Sequence, residues 1–221
     1  MKFLDAIKST NFTVGHVFNT NKSCSIVGNS GAILYSKNGN NIDNNDDIIR
    51  FNAAKTIGFE EDVGSRTTYR ILNCHFILNI DNQRYFESQK SRFPEIDRYF
   101  LYSLRDENII FKTDPSWRLW EKKEILNKVE KYNNVFFVSE DFYNLSKRLN
   151  HGKEASNGFL GLMFALKYYN EIECFGFSFY DNKHQKHYYE NVNTDPSNNH
   201  NFEMEKKVFN LFHKNKIIKL Y

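Results

Sequence analysis

Short apolar runs of strand length alternate along the chain with longer segments that have helical periodicity. Runs predicted to form strands lie at 23–27, 48–51, within 70–80, and at 99–103, 135–138, 172–177 and 217–220. Amphipathic segments predicted to form helices lie at 116–131, 141–149, 158–169 and 201–213. Because strands that alternate with helices build mostly parallel sheets covered on both faces, we expect an α/β fold with one Rossmann-like domain over residues 1–221.

Composition indicates a folded chain and excludes several classes of protein. The 221 residues are 40% hydrophobic and include 21 Phe, which is enough for a sizeable core. A net charge of +3 without a clustered basic face does not indicate nucleic-acid binding. No apolar run in the first 17 residues is long enough for a signal peptide or a membrane span, so we expect a cytoplasmic protein with at most peripheral membrane contact.

The three cysteines, Cys24, Cys74 and Cys174, contain no CxxC pair, so a zinc site is not expected. An odd number of cysteines in a chain of this length is typical of reduced, buried thiols. The Asp-x-Asp pair with which many glycosyltransferases hold a divalent metal occurs nowhere in the chain. We therefore expect no metal and no cofactor.

The first predicted strand ends in a glycine turn, Gly28-Asn29-Ser30-Gly31. Ligands of parallel sheets bind beyond the carboxyl ends of the strands, and glycines there let backbone N–H groups approach a phosphate. The turn matches neither GxGxxG nor a Walker loop, so a purely structural turn is an equally good interpretation of this segment alone.

Two polar regions further along the chain could also carry a site. The loop from Asp62 to Thr68 could bind an anion through Arg66, but we prefer a structural turn in which Arg66 pairs with Asp62. His187 and His200 flank an Asn-rich segment, and histidine is the side chain best suited to proton exchange near neutral pH. For His184 we favour a surface role.

Four separated segments together resemble the sialylmotifs of the eukaryotic-type sialyltransferases, glycosyltransferase family 29. The segments similar to the large motif are 24–31, 42–43, 50–53 and 58–68, and those similar to the small motif are 156–160, 164–166 and 175–177. Residues 187–191 look like the third motif, and 200–205, a His and a Glu with four residues between them, look like the very small motif. Four matches in the right order, covering about half of the chain, make the resemblance specific.

The resemblance implies a GT-A-like variant of the Rossmann-like fold and an enzyme that moves sialic acid from CMP-sialic acid to a glycan or glycolipid hydroxyl. Transfer in this family proceeds with inversion and without a metal. Family positions that bind the CMP donor correspond to Asn29, Ser30, Asn52, Ser156, Asn157, Gly158, Gly176 and His187. His187 corresponds to the histidine that contacts the donor phosphate, and His200 corresponds to the catalytic base.

The sequence also departs from the family pattern. Cys24 lacks its usual disulfide partner, because Tyr169 stands at the matching place. The loop between His187 and His200 looks short compared with the family, so acceptor choice cannot be carried over, and we expect a mobile loop at about 178–199. These features suggest a compact, bacterial-like member.

Two alternatives remain open and a third is disfavoured. The donor could be another CMP-activated ulosonic acid such as CMP-Kdo, since the motifs indicate CMP more clearly than the sugar. A non-catalytic CMP- or glycan-binding module would not need both His187 and His200. A generic Rossmann-type enzyme such as a methyltransferase is disfavoured, because Asn52 stands where an acidic residue is expected after the second strand.

Overall fold

The protein contains a single parallel sheet in the part of the chain that the computed structural model describes, residues 2–16, 18, 22–79, 104–130, 132, 134–181, 183–190 and 199–221. Its seven strands are β1 (Lys22–Val27), β2 (Asp47–Phe51), β3 (Tyr69–Asn73), β4 (Asn108–Lys112), β5 (Asn134–Phe137), β6 (Tyr169–Phe175) and β7 (Lys219–Leu220). They lie in the order β5-β4-β3-β2-β1-β6-β7, and all neighbouring strands are parallel. The predicted α/β fold class is confirmed.

Helices cover both faces of this sheet. They are α1 (Lys2–Ser9), α2 (Gly39–Asp43), α3 (Glu60–Val63), α4 (Cys74–Leu78), α5 (Lys123–Val129), α6 (Glu140–Leu149), α7 (Asn157–Tyr168) and α8 (Phe202–Lys214). Alternate residues of each strand enter cores on opposite faces, as the pleat requires. On one face Ile26 joins α1, α6, α7 and α8 in the largest core. On the other face Val27 packs with residues of α2 and α3, while Leu72 packs with α4 and α5.

Helix α7 is the central helix of the larger core, and its beginning lies at the carboxyl edge of the sheet. Ser156 is its N-cap, and the Ser156 hydroxyl accepts a hydrogen bond of 3.1 Å from the Phe159 amide. A Cβ on Gly161 would lie 2.7 Å from the Phe51 ring, so only glycine lets the helix approach strand β2 so closely. The approach fixes the first turn of α7 beside the ends of the central strands.

One sequence prediction is wrong in part, the strand predicted within 70–80 is confirmed, and one strand was not predicted. The described part of the helix predicted at 116–131 forms two 3₁₀ turns, Pro115–Trp117 and Leu119–Glu121, before α5, because Arg118 adopts a left-handed conformation (φ 44°, ψ 46°) that a right-handed helix cannot contain. The third strand ends at Asn73, and the following apolar residues form α4. Strand β4 was not predicted, because its apolar run is only three residues long.

Other predictions fall partly outside the described residues. The strand predicted at 99–103 lies there entirely. Of the loop predicted at 178–199, residues 178–181, 183–190 and 199 are described, and no helix or strand occurs in them. That residues 1–221 form a single domain stays a prediction. No helix in the described ranges combines the length and the apolar character that crossing a bilayer requires.

Cys24, Cys74 and Cys174 form no disulfide in this structure. Cys24 and Cys174 are buried on the neighbouring strands β1 and β6, and Cys74 is half-buried. Burial raises the pKa of the Cys24 and Cys174 thiols. Tyr169, which stands where the family has a cysteine, is buried and donates its hydroxyl to Asp47 Oδ2 at 3.0 Å.

Candidate functional site

The parallel sheet brings a set of polar residues to its carboxyl edge. Because all strands point the same way, the residues that end or follow them lie along one side of the sheet. These residues are Asn29 after β1, Asn52 after β2, Asn73 at the end of β3, Lys112 at the end of β4 and Gly176 after β6. Three of them, Asn29, Asn52 and Gly176, are among the predicted donor-binding residues.

The glycine turn after β1 packs directly against the end of β6. The Gly28 amide donates to the Phe175 carbonyl at 2.7 Å, and a Cβ on Gly28 would lie 2.4 Å from the Gly176 oxygen. Gly176 itself has φ +70°, in the left-handed region that favours glycine. Ser30 is buried and donates its hydroxyl to Ser178 Oγ at 2.7 Å. The contacts of Ser30 and Gly176 are structural, and their donor contacts stay predictions.

Asn29 is held in place by hydrogen bonds from its amide nitrogen, while its amide oxygen is unpartnered within the described residues. Asn29 Nδ2 donates to the Tyr189 hydroxyl at 3.0 Å and to the Phe51 carbonyl at 3.4 Å. Asn29 Oδ1 is buried and has no hydrogen-bond partner among the described residues. A buried acceptor without a partner is costly, which is typical of a position completed by a ligand donor.

The side-chain amides of Asn52 and Asn157 are hydrogen-bonded to each other, next to Phe51, whose carbonyl accepts from Asn29. Asn52 has φ +48°, and its Oδ1 accepts hydrogen bonds from Asn157 Nδ2 at 2.9 Å and from the Asn73 amide at 3.2 Å. Asn157 Nδ2 also donates to the Ile71 carbonyl at 3.2 Å. Asn157 Oδ1 is buried without a partner in the described ranges. The structure thus brings together residues predicted from the large and the small motif.

A carboxylate from α8 binds the start of α7. Glu205 Oε1 accepts from the Ser156 amide at 2.9 Å, and Glu205 Oε2 accepts from the Ser156 hydroxyl at 2.5 Å. Burial raises the pKa of Glu205 to about 6, against the opposing effect of these hydrogen bonds. Gly158 follows in the same turn, where a Cβ would lie 2.8 Å from the Phe177 ring. Sequence reasoning did not assign Glu205 to the site, although its fixed spacing from His200 is the signal that could have done so.

His187 lies against a carboxylate and an aromatic ring. Its Nδ1 is hydrogen-bonded to Glu190 Oε1, and its ring stacks on Tyr189 with a centroid distance of 5.2 Å and an interplanar angle of 17°. The Tyr189 hydroxyl accepts from Asn29, and the Tyr188 amide donates to the Asn29 carbonyl at 2.7 Å. The His187 segment is therefore attached to the glycine turn through both backbone and side-chain contacts.

His200 has a different set of neighbours. Its Nδ1 lies 2.9 Å from the Glu154 carbonyl oxygen, and the ring is half-buried. Because a carbonyl can only accept, Nδ1 carries the proton and the lone pair is on Nε2. Burial, and then the nearby Lys112 ammonium, lower the pKa of His200, which favours the neutral ring. A neutral imidazole with its lone pair on Nε2 can accept a proton.

The remaining candidate residues have structural or surface roles. Arg66 donates to the carbonyls of Asp43 at 2.6 Å and Asp46 at 3.0 Å, so the expected pairing with Asp62 is wrong although a structural role is confirmed. Asp62 instead accepts from backbone amides at 35 and 37. His184 is exposed and lies 3.0 Å from Asp181.

The fold defines a Rossmann-like α/β protein with a candidate ligand site at the carboxyl edge of its sheet. The model of glycosyltransferase family 29 (sialyltransferase) matches residues 3–217. This chain belongs to that family, and the fold-class prediction, including the GT-A-like variant, is thereby confirmed.

Curated relatives agree with this assignment. The chain is 34% identical over 176 residues to the CMP-N-acetylneuraminate-beta-galactosamide-alpha-2,3-sialyltransferase 1 of Gallus gallus, covering 77% of this chain and 48% of the relative. It is 33% identical over 173 residues to the corresponding sialyltransferase 2 of Mus musculus, covering 77% and 47%. The chain therefore spans about half the length of the curated relatives it matches.

Solved structures show the same fold at lower identity. A mammalian sialyltransferase superposes with a TM-score of 0.64 at 20% identity, covering 100% of this chain and 78% of the other. The alpha-2,3-sialyltransferase Cst-I of Campylobacter jejuni gives a TM-score of 0.53 at 16% identity, covering 95% and 78%. At these identities the similarity establishes the fold.

Proposed function

We propose that this chain is an inverting, metal-independent sialyltransferase that moves sialic acid from CMP-sialic acid to a glycan hydroxyl. The observation that carries the proposal is the contrast between the two histidines. His187 is hydrogen-bonded to a carboxylate, whereas His200 donates to a carbonyl and lies near an ammonium group. One ring is thus suited to a charged role and the other to accepting a proton.

The donor site of this proposal is formed by the turn after β1, the end of β2 and the start of α7. Asn29 Oδ1 and Asn157 Oδ1 are buried acceptors that lack partners among the described residues. The amino group of cytosine and the hydroxyls of ribose are donors that these oxygens can bind. His187 would contact the phosphate, and Glu190 would compensate a positive charge on its ring.

The reaction that we propose is a single displacement at the anomeric carbon of sialic acid. The bond from this carbon to the acceptor oxygen forms as its bond to the CMP phosphate oxygen breaks, which inverts the configuration. Charge that develops on the leaving phosphate is stabilised by His187. The acceptor hydroxyl loses its proton to Nε2 of neutral His200 as the new bond forms.

A galactoside is the acceptor class that the relatives support. The Gallus gallus and Mus musculus relatives are named for a beta-galactosamide acceptor, and a Danio rerio relative, 47% identical over 58 residues, is named a beta-galactoside alpha-2,6-sialyltransferase. These names include both alpha-2,3 and alpha-2,6 linkages. The linkage that this chain forms must therefore be determined from the product.

The test offers the purified chain CMP-sialic acid or CMP-Kdo together with a panel of galactosides, in the presence of EDTA. We expect transfer from CMP-sialic acid that EDTA does not inhibit. His200→Ala should lower kcat by roughly 10²- to 10⁴-fold, the range that a catalytic base contributes, and should leave CMP affinity nearly unchanged. His184→Ala, which removes an exposed histidine, is the matched control. Full activity of His200→Ala, or transfer from CMP-Kdo alone, would contradict the proposal.

A further inference from the structure

Lys112 is a buried lysine at the end of β4 for which the proposed reaction has no direct role. Its side chain is 8% exposed, its Nζ donates to the Ala155 carbonyl, and it lies 3.8 Å from Glu154 Oε2. Burying an ammonium group is costly unless other groups compensate it. Burial lowers the pKa of Lys112, and the Glu154 and Glu205 carboxylates oppose this and favour the charged form.

The groups that Lys112 binds belong to the short segment that also contacts His200. The carbonyl of Glu154 accepts from His200 Nδ1 at 2.9 Å, and the two residues form an isolated parallel bridge. The next residue, Ala155, accepts from Lys112, and Ser156 is bound by Glu205 and caps α7. One ammonium group therefore holds this segment at two adjacent residues, between the base candidate and the donor-binding turn.

We propose that Lys112 is a positioning residue for His200, acting through the backbone of Glu154 and Ala155 and through its own positive charge. The inference rests on the proposed function in that His200 must be the base for Lys112 to affect turnover. Lys112 would still affect the His200 ring if His200 were not the base. The effect on the ring and the effect on turnover can therefore be tested separately.

The charges around His200 predict the direction in which each substitution shifts the pKa of His200. After burial, Lys112 has the largest effect that lowers the pKa of His200, and the Glu154 carboxylate acts in the opposite direction. The other titratable groups that meet this cluster act through Lys112 or Glu154, namely Cys74 of α4, Glu205 of α8, and Tyr143 of α6, whose hydroxyl donates to Glu154 Oε1 at 2.9 Å. Removing the positive charge should thus raise the pKa of His200, and removing the negative charge should lower it.

The first test is an NMR titration of the histidine ring protons, with His200→Gln used to identify the His200 signal. We expect the midpoint to move to higher pH in Lys112→Met and to lower pH in Glu154→Gln. Lys207→Met, which removes an exposed lysine from α8, is the control and should leave the midpoint unchanged. An unmoved His200 signal in a folded Lys112→Met protein would overturn the inference. If Lys112→Met does not fold, Glu154→Gln decides alone, and a midpoint that stays or rises contradicts us.

The second test is the pH dependence of kcat/KM. In Lys112→Met the acid limb should move to higher pH, so that the ratio of activity at pH 6 to activity at pH 8 falls by roughly three- to tenfold. A role in folding alone would lower activity equally at both values. Should His200→Ala stay active while the NMR midpoints move as expected, the base assignment is wrong and the effect of Lys112 on the ring stands.

Discussion

The two histidines of the site differ in almost every contact that they make. His187 pairs with the buried Glu190 carboxylate and stacks on Tyr189, while His200 donates to a backbone carbonyl beside the buried Lys112. The same side chain thus receives a negative neighbour at one end of the sheet edge and a positive neighbour at the other. Proteins separate acid, base and charge-stabilising roles by such differences in environment.

The donor end of the site, which consists of Asn29 and Asn52, and the base end, which consists of His200 and residues 154–156, are also supported differently. On the Asn52 side, the buried Arg70 forms a two-point ion pair with Glu107 and donates to the carbonyls of Asn52 at 2.7 Å and Ala54 at 2.8 Å. On the His200 side, the support consists of Lys112 and Glu205 bound to the segment before α7. The donor end therefore depends on the buried Arg70–Glu107 ion pair. The base end depends on hydrogen bonds that join β4 and α8 to the segment before α7.

The largest expected effect is the loss of stability when the Arg70–Glu107 ion pair, which supports the donor end, is broken. Arg70→Met leaves Glu107 buried without its partner and removes two hydrogen bonds to the turn after β2, which should lower the free energy of unfolding by about 3–5 kcal/mol. Urea unfolding measures the change. Arg118→Met, which removes an exposed pair with Glu121, should change it by less than about 1 kcal/mol. Equal effects of the two variants would contradict this account.

The contrast between the histidines is sharpened by removing the carboxylate beside one of them. Glu190→Gln keeps the shape of the side chain and removes the charge, so kcat/KM should fall by roughly 10- to 100-fold, with a higher KM for the donor. The acid limb that reports His200 should not move. Asp181→Asn, which removes a carboxylate from the exposed His184 at the same spacing, should change kcat/KM by less than about twofold. A shifted acid limb in Glu190→Gln would show that the two sites are not independent.

The smallest expected effect concerns Glu205, the carboxylate that joins the base end to α7. Its pKa is about 6 in the folded protein against an ordinary value of 4.5, so the folded state binds more protons between these values. Stability from this group is therefore lost as pH rises from 4.5 to 6, by about 2 kcal/mol at most. Unfolding curves should show this loss as a difference in slope between wild type and Glu205→Gln, because His200, whose pKa is lowered, contributes an opposite slope in both proteins. Glu203→Gln, an exposed residue of the same helix, should keep the wild-type slope.

The sequence allowed the donor end to be predicted better than the base end. The turn after Val27 is local, so its strand, its glycines and Asn29 could be assigned from consecutive residues. The contacts of Asn52 with Asn157 join residues 105 positions apart, and only the resemblance to a family placed both in one site. Lys112 could not be found, because β4 has a short apolar run and the partner of Lys112 is the backbone of a segment 43 residues away.

The central claim is that CMP binds at the carboxyl edge of the sheet with His187 on its phosphate. A crystal structure of the chain with CMP tests this claim most directly. We predict a phosphate oxygen about 3 Å from a His187 ring nitrogen, and nucleotide donors on Asn29 Oδ1 or Asn157 Oδ1. A nucleotide that occupies another part of the molecule, or one that leaves both His187 and these amide oxygens without contacts, would contradict the account.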